Sequence, residues 1–410
     1  EHGQKVSTSA RDAGIDPQTF TDNVSQNFRD LLGVMNFQND DFVRTTEERH
    51  IKSCQALWNK LLEDGDQHIY LGSYSGWYAV RDEAFYAEGE LTDGPNGKKV
   101  APSGAEVEWL EEPSYFFRLS AWQEPLLKFY EDNPDFIAPA SRRNEVISFV
   151  KSGLRDLSIS RTSFDWGVPV PNEPGHVMYV WMDALTNYIT ALGYPEQSGE
   201  YAQYWPADLH MVGKDIVRFH GVYWPAFLMA AGLEPPKRVY AHGWWTNEGE
   251  KISKSTGNVI DPLELVEKYG LDQVRYFLLR EVPFGNDGDF SHQAMINRMN
   301  GELANDFGNL AQRVLSMVHK NCDAQIPEPG PLTDDDDALL GPAHGLFEKV
   351  SECLERQAFH EALETIWVVI RAANGYVDAQ APWTLRKEDL DRMKTVLYVL
   401  AETIRHLALL

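Results

Sequence analysis

Cysteine is scarce in this sequence, and the three that occur, Cys54, Cys322 and Cys353, lie far apart. None belongs to a Cys-x-x-Cys pair, the spacing that is typical of structural zinc sites and redox motifs. Separate thiols suit the reducing cytoplasm, where disulfides are rare. We therefore expect a cytoplasmic protein without a zinc site.

Long apolar runs are also missing, since no stretch approaches the roughly 20 residues that cross a bilayer as a helix. The first five residues, Glu-His-Gly-Gln-Lys, contain neither an apolar h-region nor an Arg-rich amphipathic pattern. The sequence therefore shows no membrane span and no targeting segment, and no membrane partner is predicted.

Positive charge is in short supply, with 37 Lys and Arg against 62 Asp and Glu and a net charge of −25. Taken alone, this balance argues against a nucleic-acid-binding protein. Net charge governs solubility and long-range steering, however, whereas binding needs only a local basic strip. Any nucleic-acid contact is therefore expected to be confined and sensitive to salt.

What is present is a long chain with ample core-forming material: 410 residues, of which 43% are hydrophobic and 12% aromatic. This composition predicts a well-packed globular protein rather than a disordered one. The length exceeds what one ordinary core accommodates, so two to four domains are expected.

The pattern along the chain changes from helical to strand-like and back again. Residues 20–62 show helical spacing of apolar residues, including Phe28, Leu31 and Leu57. Short strand-like pieces follow from 69 onward, and helical patterns return before 154. We interpret 69–154 as a separately folded insertion in a larger domain.

The larger domain resumes with strand and helix signals in alternation. The run 177–182 predicts a buried strand, a helix follows, and 209–212 predicts a second strand before a helix over 216–231 that ends at Gly232. This alternation indicates a parallel sheet. From 291 onward the periodicity is almost entirely helical, and the acidic run 334–337 is interpreted as a solvated helix start.

The most informative segment is the run Lys251-Ile-Ser-Lys-Ser255, which lies between Gly249 and Gly257. Lys251 and Lys254 place two hydrated ammonium groups on flexible stems within a small polar loop. Such a loop can neutralise a polyphosphate leaving group. The alternative is a solvated lysine–serine turn.

Two aromatic stripes predict a pocket. Steps of three and four residues put Ile216, Phe219, His220 and Trp224 on one helix face, together with Tyr223 and Phe227. Trp181, Ala184 and Tyr188 are likewise spaced to share a face. Both stripes follow predicted parallel strands, where open α/β sheets bind ligands, and aromatic walls suit a thioether. The alternative for each stripe is ordinary core.

The segment 242–258 is similar to the KMSKS loop of class I aminoacyl-tRNA synthetases, and the chain over 1–410 resembles the methionyl-tRNA synthetases. This resemblance implies an α/β protein: a Rossmann-like parallel-sheet catalytic domain with an incomplete first part, a small mixed insertion domain and an all-α anticodon-binding helical bundle. The implied domains are 1–68 and 155–236 for the two halves of the catalytic domain, 69–154 for the insertion, 237–292 for the loop domain and 293–410 for the bundle.

The resemblance also implies the reaction and the residues for it. L-Methionine would be activated by ATP with Mg²⁺ and transferred to tRNA(Met), with Lys251 and Lys254 as the catalytic residues. The implied ATP-binding residues are Gly213, Asp215, His242, Trp245 and Lys254. The implied methionine-binding residues are Trp181, Ala184, Tyr188, Ile216, Phe219, His220, Trp224 and Arg161. The implied anticodon-binding residues are Asn309, Arg313 and Trp383.

Several of these residues have simpler interpretations. Trp245 could pack beneath the loop, and Arg161 could be a surface arginine, since the family's aspartate that pairs with it would lie immediately before Glu1. Asn309 and Arg313 project from one helix face and Trp383 follows a helix-opening proline, which also suits polar surface residues and a half-buried core tryptophan.

The sequence departs from the family pattern in two places. No histidine lies in the family's His-x-Gly-His element, which chain order puts upstream of Glu1. We therefore expect the interior of a longer protein that is a poor catalyst by itself. Ala79 and Asp82 stand where zinc-bearing members have cysteines, which predicts a zinc-free insertion, and the insertion is too short for the editing domain of related synthetases.

Two other functions remain open at this point. The chain could be a non-catalytic tRNA-binding or assembly fragment that uses only its helical half. It could also be a synthetase for another apolar amino acid, because one methylene in a pocket changes binding by only ~1–3 kcal/mol.

Overall fold

The computed structural model describes residues 1–63, 65–81, 84–86, 88–94, 97–252 and 258–410. The chain divides into two compact units, Glu1–Ala241 and His242–Leu410. The first unit mixes helices with sheets, and the second ends in a succession of helices. The predicted fold class, an α/β region followed by a helical one, is confirmed.

The helices of the first unit flank its strands along the chain. They are α1 (Gln4–Asp12), α2 (Pro17–Val34), α3 (Glu48–Leu62), α4 (Gln123–Asp132), α5 (Ala140–Lys151), α6 (Val180–Thr190), α7 (Glu200–Tyr204) and α8 (Trp224–Ala230). The strands are β1 (Ile69–Ala79), β2 (Ala84–Tyr86), β3 (Thr92–Asp93), β4 (Lys99–Val100), β5 (Glu108–Phe117), β6 (Ile137–Ala138), β7 (Leu157–Ser158), β8 (Ser160–Arg161), β9 (Val177–Met178), β10 (His210–Gly213) and β11 (Val239–His242).

Two larger sheets organise the first unit. An antiparallel sheet has the order β2-β1-β5-β7, in which β1 and β5 pair from Ile69 opposite Phe117 to Tyr78 opposite Glu108. A second sheet has the order β10-β11-β6, and β11 runs parallel to β6. The chain passes directly from the carboxyl end of β10 into the turn that begins at Lys214, so β10 leads into the pocket helix.

The residues of the predicted insertion 69–154 do not all pack separately. A small hydrophobic cluster of its own contains Ala79, Ala101, Ala105 and Val107. Leu126 of α4 and Val146 of α5, in contrast, are buried in the same core as Trp224, and β6 belongs to the sheet of β10 and β11. Separate packing is therefore confined to the part around β3 and β4, and the domain boundaries themselves stay predictions.

The helix predicted over 216–231 is interrupted, and Pro225 gives the physical reason. A 3₁₀ turn (Lys214–Ile216) and a π-helix (Phe219–Tyr223) precede α8. Proline has no N–H to donate to the carbonyl four residues earlier, and the Tyr130 hydroxyl donates to that carbonyl, Gly221 O, at 2.6 Å instead. The helix ends as predicted at Gly232, which has φ +68°, and Leu233 N–H donates to Leu228 O at 2.8 Å.

The second unit begins with a small sheet and continues with helices. The strands β12 (Trp245–Asn247), β13 (Glu250–Lys251) and β14 (Gly288–Phe290) form a sheet in the order β13-β12-β14. A π-helix spans Met299–Gly308. The α-helices are α9 (Pro262–Tyr269), α10 (Leu271–Arg280), α11 (His292–Arg298), α12 (Asn309–Asn321), α13 (Asp334–His344), α14 (Leu346–Glu355), α15 (Phe359–Gln380), α16 (Pro382–Glu388) and α17 (Leu390–Ala408).

The acidic run 334–337 starts α13 as predicted, but it is not solvated throughout. Thr333 caps the helix in a capping box with Asp336. The Asp336 side chain is 0% exposed and accepts from Arg392 Nη1 at 2.6 Å and from the Tyr376 hydroxyl. Burial would raise the pKa of Asp336, but these donors outweigh it and hold the pKa well below its usual range. The prediction of a fully solvated run is therefore wrong at this position.

Helix α2 shows a second difference from the sequence pattern. Leu57 of α3 is buried as its spacing predicts, whereas Phe28 of α2 is 59% exposed. Helical spacing alone identifies an apolar face and not the neighbour that covers it. Among the helices that the structure describes, none is long and apolar enough to span a membrane.

Candidate active site

Helix α6 presents one wall of the predicted amino-acid pocket. The Trp181 ring stacks on Phe219, with 3.5 Å between ring centroids and 15° between the planes. Ala184 lies one turn further along α6 and is partly exposed, as expected for a small residue at an opening. The two stripes predicted from spacing therefore face each other in the first unit.

The polar group of the pocket is a Tyr188–His220 pair. The two side chains meet at 2.7 Å between the hydroxyl and Nε2, and His220 Nδ1 lies 2.9 Å from Ile216 O. A carbonyl only accepts, so Nδ1 carries the proton and Nε2 accepts from Tyr188. Burial lowers the pKa of His220 and raises the pKa of Tyr188 to about 12. At neutral pH the pair is therefore uncharged and internally satisfied.

A second histidine, His210, lies behind this pair and was not predicted from the sequence. Its ring stacks on Tyr188 at 3.8 Å, and Trp224 Nε1 donates to its Nε2 at 3.3 Å. Burial, and then the neighbouring His220, lower the pKa of His210 to about 3. Because His210 stacks on Tyr188 and accepts from Trp224, it connects the two pocket stripes as a neutral acceptor.

Arg161 is buried, with 1% of its surface exposed, so the surface interpretation is wrong. Its Nη1 donates to Ser158 Oγ at 2.5 Å, its Nε lies 3.4 Å from Glu112 Oε1, and its guanidinium lies over the Tyr179 ring. The other Glu112 oxygen accepts from the backbone N–H of Thr162 and Ser163. These contacts join Arg161 of β8 to Glu112 of β5 and to Tyr179 at the start of α6. A role of Arg161 in amino-acid binding stays a prediction.

Gly213 and Asp215 lie where β10 ends and the chain turns into a helical segment. Gly213 has extended backbone angles and precedes the 3₁₀ turn Lys214–Ile216, and Asp215 is exposed. Backbone N–H groups at such a turn favour phosphate or ribose oxygens. The position is accessible to a nucleotide, and its ATP-binding role stays a prediction.

The lysine loop starts from a tight hairpin in the second unit. Glu248 and Gly249 both have positive φ, which is typical of the two-residue turn between β12 and β13. Asn258 accepts from Asn247 Nδ2 at 2.7 Å, and its own amide lies within 3.4 Å of Lys251 O, so it ties the two ends of the loop together.

Of the two loop lysines, Lys251 lies among the described residues and Lys254 does not. Lys251 ends β13 and is exposed, so its ammonium group is accessible to a ligand. Lys254 falls in 253–257, outside the described residues. The catalytic role of both stays a prediction.

The remaining ATP-site candidates pack around this small sheet. His242 Nδ1 donates to Gly243 O at 2.9 Å. Trp245 is partly buried against Phe277, 5.9 Å between ring centroids, and a Cβ at Gly288 would lie 3.0 Å from its ring. Trp245 thus packs within the second unit, which agrees with its simpler interpretation as a packing residue. Its nucleotide role stays a prediction.

The anticodon candidates cluster on the helical bundle. Asn309 opens α12 and is exposed, and Arg313 follows one turn later. Arg313 donates to Asp378 Oδ1 at 2.9 Å and lies 5.4 Å from the centroid of the Trp383 ring. Arg313, Pro382 and Trp383 line a cavity of about 130 Å³. The structure therefore joins Arg313 with Trp383, and Asn309 extends the same helix.

Sequence reasoning missed a buried polar group on the far side of α6. Asp183 accepts from His2 and His50, which come from the start of the chain and from α3. The available signal was Asp183 itself, an acidic residue inside an apolar run, because a buried carboxylate requires donors. The partners could not be named, since 133 residues separate His50 from Asp183.

The two positions on which the zinc-free prediction depends are Ala79, at the end of β1, and Asp82, three residues later in the chain. Ala79 is fully buried in the small hydrophobic cluster of the insertion. Asp82 lies outside the described residues. The absence of zinc from the insertion stays a prediction.

Comparison with known proteins gives consistent matches along the chain. The family described as tRNA synthetases class I (M) matches residues 1–315. The methionine–tRNA ligase of Brucella suis biovar 1 (strain 1330) is 58% identical over 410 residues, which are 100% of this chain and 79% of that protein. The methionine–tRNA ligase of Rhizobium meliloti (strain 1021) is 56% identical over 411 residues, with the same coverage of both chains.

A solved structure gives the same result for the fold. The Mycobacterium tuberculosis methionyl-tRNA synthetase bound by methionyl-adenylate matches with a TM-score of 0.95 and 52% identity, over 100% of this chain and 81% of that one. Its apo form matches with a TM-score of 0.88, over 96% of this chain and 78% of that one.

Proposed function

The chain belongs to the family of class I tRNA synthetases (M), and we propose that it acts as a methionine–tRNA ligase. In this reaction, L-methionine and ATP give methionyl-adenylate and pyrophosphate, and the methionyl group is then transferred to tRNA(Met). The observation that carries the proposal is the pocket of the first unit, in which two aromatic stripes enclose the neutral Tyr188–His220 pair. Among the relatives, a methionyl-tRNA synthetase with methionyl-adenylate bound has this fold.

The chemistry of the pocket suits an apolar thioether. The Tyr188 hydroxyl and His220 Nε2 satisfy each other, so neither demands a partner from the ligand. A thioether accepts hydrogen bonds only weakly and packs well against aromatic rings. The proposed methionine-binding residues are Trp181, Ala184, Tyr188, Ile216, Phe219, His220, Trp224 and Arg161, of which Arg161 lies in β8, the strand that pairs with β9 before α6.

The proposed activation step needs no general base, because the methionine carboxylate is already ionised at neutral pH. A carboxylate oxygen attacks the α-phosphorus, the bond from that phosphorus to the bridging oxygen of the β-phosphate breaks, and pyrophosphate leaves. Lys251 and Lys254 stabilise the negative charge that develops on the phosphates. Gly213, Asp215, His242 and Trp245 are proposed to contact the nucleotide, which enters as its Mg²⁺ complex.

The tRNA contact is proposed on the bundle. Arg313 and Asn309 supply hydrogen-bonding groups, and Trp383 supplies an exposed ring on which an unpaired base can stack. Because the formal charge of the chain is −25, this contact is confined to a small area and weakens as salt is added. We place the reaction in the cytoplasm without zinc, on the basis of the three separate cysteines.

The test is ATP–pyrophosphate exchange with methionine, leucine, isoleucine or valine as the amino acid. The exchange is measured for the chain alone and after addition of a segment that contains the family's His-x-Gly-His element. We expect methionine-dependent exchange after complementation. No exchange under that condition would favour a non-catalytic tRNA-binding fragment, and faster exchange with leucine would favour a different synthetase.

A pair of matched variants makes the test specific for the pocket. Trp181→Ala removes the wall that stacks on Phe219, and Trp109→Ala removes an exposed tryptophan of β5 that lies outside the pocket. We expect the first to reduce methionine affinity on the order of thirtyfold, since a truncated tryptophan anchor costs ~2 kcal/mol or more. The second is expected to leave it unchanged, and equal losses would contradict the pocket assignment.

A further inference from the structure

Helix α6 has two faces, and only one belongs to the pocket. Residues three and four apart share a helix face, which places Trp181, Ala184 and Tyr188 together. Asp183 and Thr190 lie on the opposite face, together with Thr186, and all three are buried. This second face packs on α3, so its contacts determine where the pocket face points.

The contacts of the second face are hydrogen bonds to histidines. Asp183 Oδ2 lies 2.5 Å from His2 Nδ1, and Asp183 Oδ1 lies 2.7 Å from His50 Nε2. The other nitrogen of His50 lies 3.0 Å from Thr190 Oγ1. His50 therefore bridges two sites on α6 that are two turns apart, which resists both rotation and sliding of the helix.

The charge of Asp183 makes this arrangement specific. Burial would raise the pKa of Asp183, but the bonds from His2 and His50 outweigh burial and lower the pKa. The side chain is therefore an anion at neutral pH, and each histidine presents an N–H to it, because a carboxylate only accepts. A buried anion that lost a donor would be costly, so α6 keeps the position in which both donors reach it.

His2 extends the same network to the start of the chain. Its ring packs edge-on against Trp166, with 5.4 Å between centroids. Gly3 N–H donates to Trp166 O at 3.0 Å, and Trp166 Nε1 donates to Glu1 O at 2.8 Å. The residues Glu1–Gly3 are thus held by the loop after β8 and by α6 together.

We propose that His2, His50 and Asp183 are positioning residues for the amino-acid pocket. They act through α6, which carries Trp181 and Ala184 on either side of Asp183 in the chain and Tyr188 further along. The inference rests on the proposed function, in which Trp181, Ala184 and Tyr188 line the methionine site. A small displacement of α6 would alter the 3.5 Å stacking on Phe219 and the 2.7 Å contact with His220 at once.

The same cluster has the composition of a metal site, because Cys54 Sγ lies 3.2 Å from His50 Nε2 and donor atoms of His50, Cys54 and Asp183 are close together. In the structure, both Asp183 oxygens accept from histidine nitrogens, at 2.5 and 2.7 Å, and the second nitrogen of His50 lies 3.0 Å from Thr190 Oγ1. These contacts describe a hydrogen-bond network that joins α6 to α3 and to His2.

The experiment compares two buried aspartates. Asp183→Asn keeps the shape of the side chain and removes its charge and one acceptor. Asp336→Asn makes the same change at a buried carboxylate of the second unit, far from the pocket residues in the chain. Calorimetry of the full chain gives the Kd for methionine and for leucine, and thermal unfolding gives the stability.

We expect Asp183→Asn to raise the Kd for methionine on the order of tenfold and to reduce the discrimination between methionine and leucine. Asp336→Asn is expected to lower thermal stability without changing either value. The proposal is wrong if Asp183→Asn leaves both values unchanged, or if Asp336→Asn changes them equally. Trp181→Ala tests the proposed function separately, because without a loss there the pocket itself would be misassigned.

A second pair of variants covers the case in which Asp183→Asn does not fold. His50→Leu removes the donor to Asp183, whereas His50→Gln can keep an N–H near the position of Nε2. Partial recovery of methionine affinity in the glutamine variant, relative to the leucine variant, is the expected result. Equal affinities in the two folded variants would show that the donor is irrelevant and would overturn the proposal.

Discussion

The amino-acid pocket and the anticodon candidates on the bundle differ most in how their polar groups are arranged. In the pocket, His220 is 3% exposed and its two nitrogens already have partners. On the bundle, Trp383 is 46% exposed, and Arg313 is engaged by a surface aspartate, Asp378. Under the proposed function, a small apolar ligand would bind a site whose polar groups are already paired, whereas a nucleic acid would have to compete with Asp378 for Arg313.

The largest effect is expected from breaking the hydrogen bond between Tyr188 and His220 in the pocket. Tyr188→Phe keeps the ring but removes the donor to His220 Nε2, which leaves a buried acceptor unsatisfied at a cost of ~1–3 kcal/mol. Water would then compete with methionine for His220. We expect methionine affinity, measured by calorimetry, to fall on the order of ten- to a hundredfold.

The matched control for this change is Tyr204→Phe, since Tyr204 is 56% exposed and lies outside the pocket residues. It is expected to leave the Kd for methionine unchanged. An unchanged Kd in Tyr188→Phe would show that the pair contributes nothing to the pocket.

A smaller effect is expected on the bundle, where the change removes one exposed ring, that of Trp383. Stacking of a base on an aromatic side chain contributes ~1–3 kcal/mol, so Trp383→Ala should weaken tRNA(Met) binding on the order of tenfold. Filter binding at fixed salt gives the Kd. Phe347→Ala, at a residue of α14 that is 69% exposed, is the control and should have no effect. Equal losses in both variants would remove Trp383 from the proposed contact.

Removing the carboxylate that competes for Arg313 is expected to have a smaller and opposite effect. Asp378→Asn neutralises the carboxylate 2.9 Å from the guanidinium. A less strongly held arginine binds phosphate or a base more readily, so tRNA(Met) affinity should rise about threefold, with a steeper dependence on salt. Asp334→Asn makes the same charge change at the start of α13 and should raise affinity less. A decrease in affinity would mean that Asp378 holds Arg313 in its binding position.

Short-range patterns account for the parts of the site that were predicted from the sequence. Helical spacing identified Trp181, Ala184 and Tyr188 as one face, and the structure places Phe219 and His220 opposite them. Such spacing depends only on residues within a few turns of one helix. The mixed α/β class followed from strand and helix alternation in the same way.

The missed features depend on contacts between residues far apart in the chain. His50 meets Asp183 across 133 residues, and Tyr130 meets the carbonyl freed by Pro225 across 91. Phe28 has the right spacing for a buried face and is exposed, because spacing does not specify a covering neighbour. A local sequence pattern therefore predicts which residues share a helix face, whereas tertiary packing decides which of these faces becomes buried.

The smallest expected effect is the response of the pocket to pH. Burial lowers the pKa of His210 to about 3 and also lowers the pKa of His220, which favours the neutral form of both rings. Methionine affinity should therefore change less than about twofold between pH 6.5 and 8.5. Methionine calorimetry at both ends of this range checks the prediction. A larger change would mean that one of these histidines titrates in the native state.

The same histidines make folding stability depend on acid. In the unfolded chain a histidine binds a proton near pH 6.5, whereas native His210 does so only near pH 3. The contribution to stability is therefore complete above pH 6.5 and is lost as the pH falls toward 3, by about 1.4 kcal/mol per pH unit. Urea unfolding between pH 6 and 5 should show a shallower loss for His210→Asn than for the unmodified chain. His319→Asn, at an exposed residue of α12, should keep the original slope, and identical slopes in all three proteins would show that His210 is not held neutral by burial.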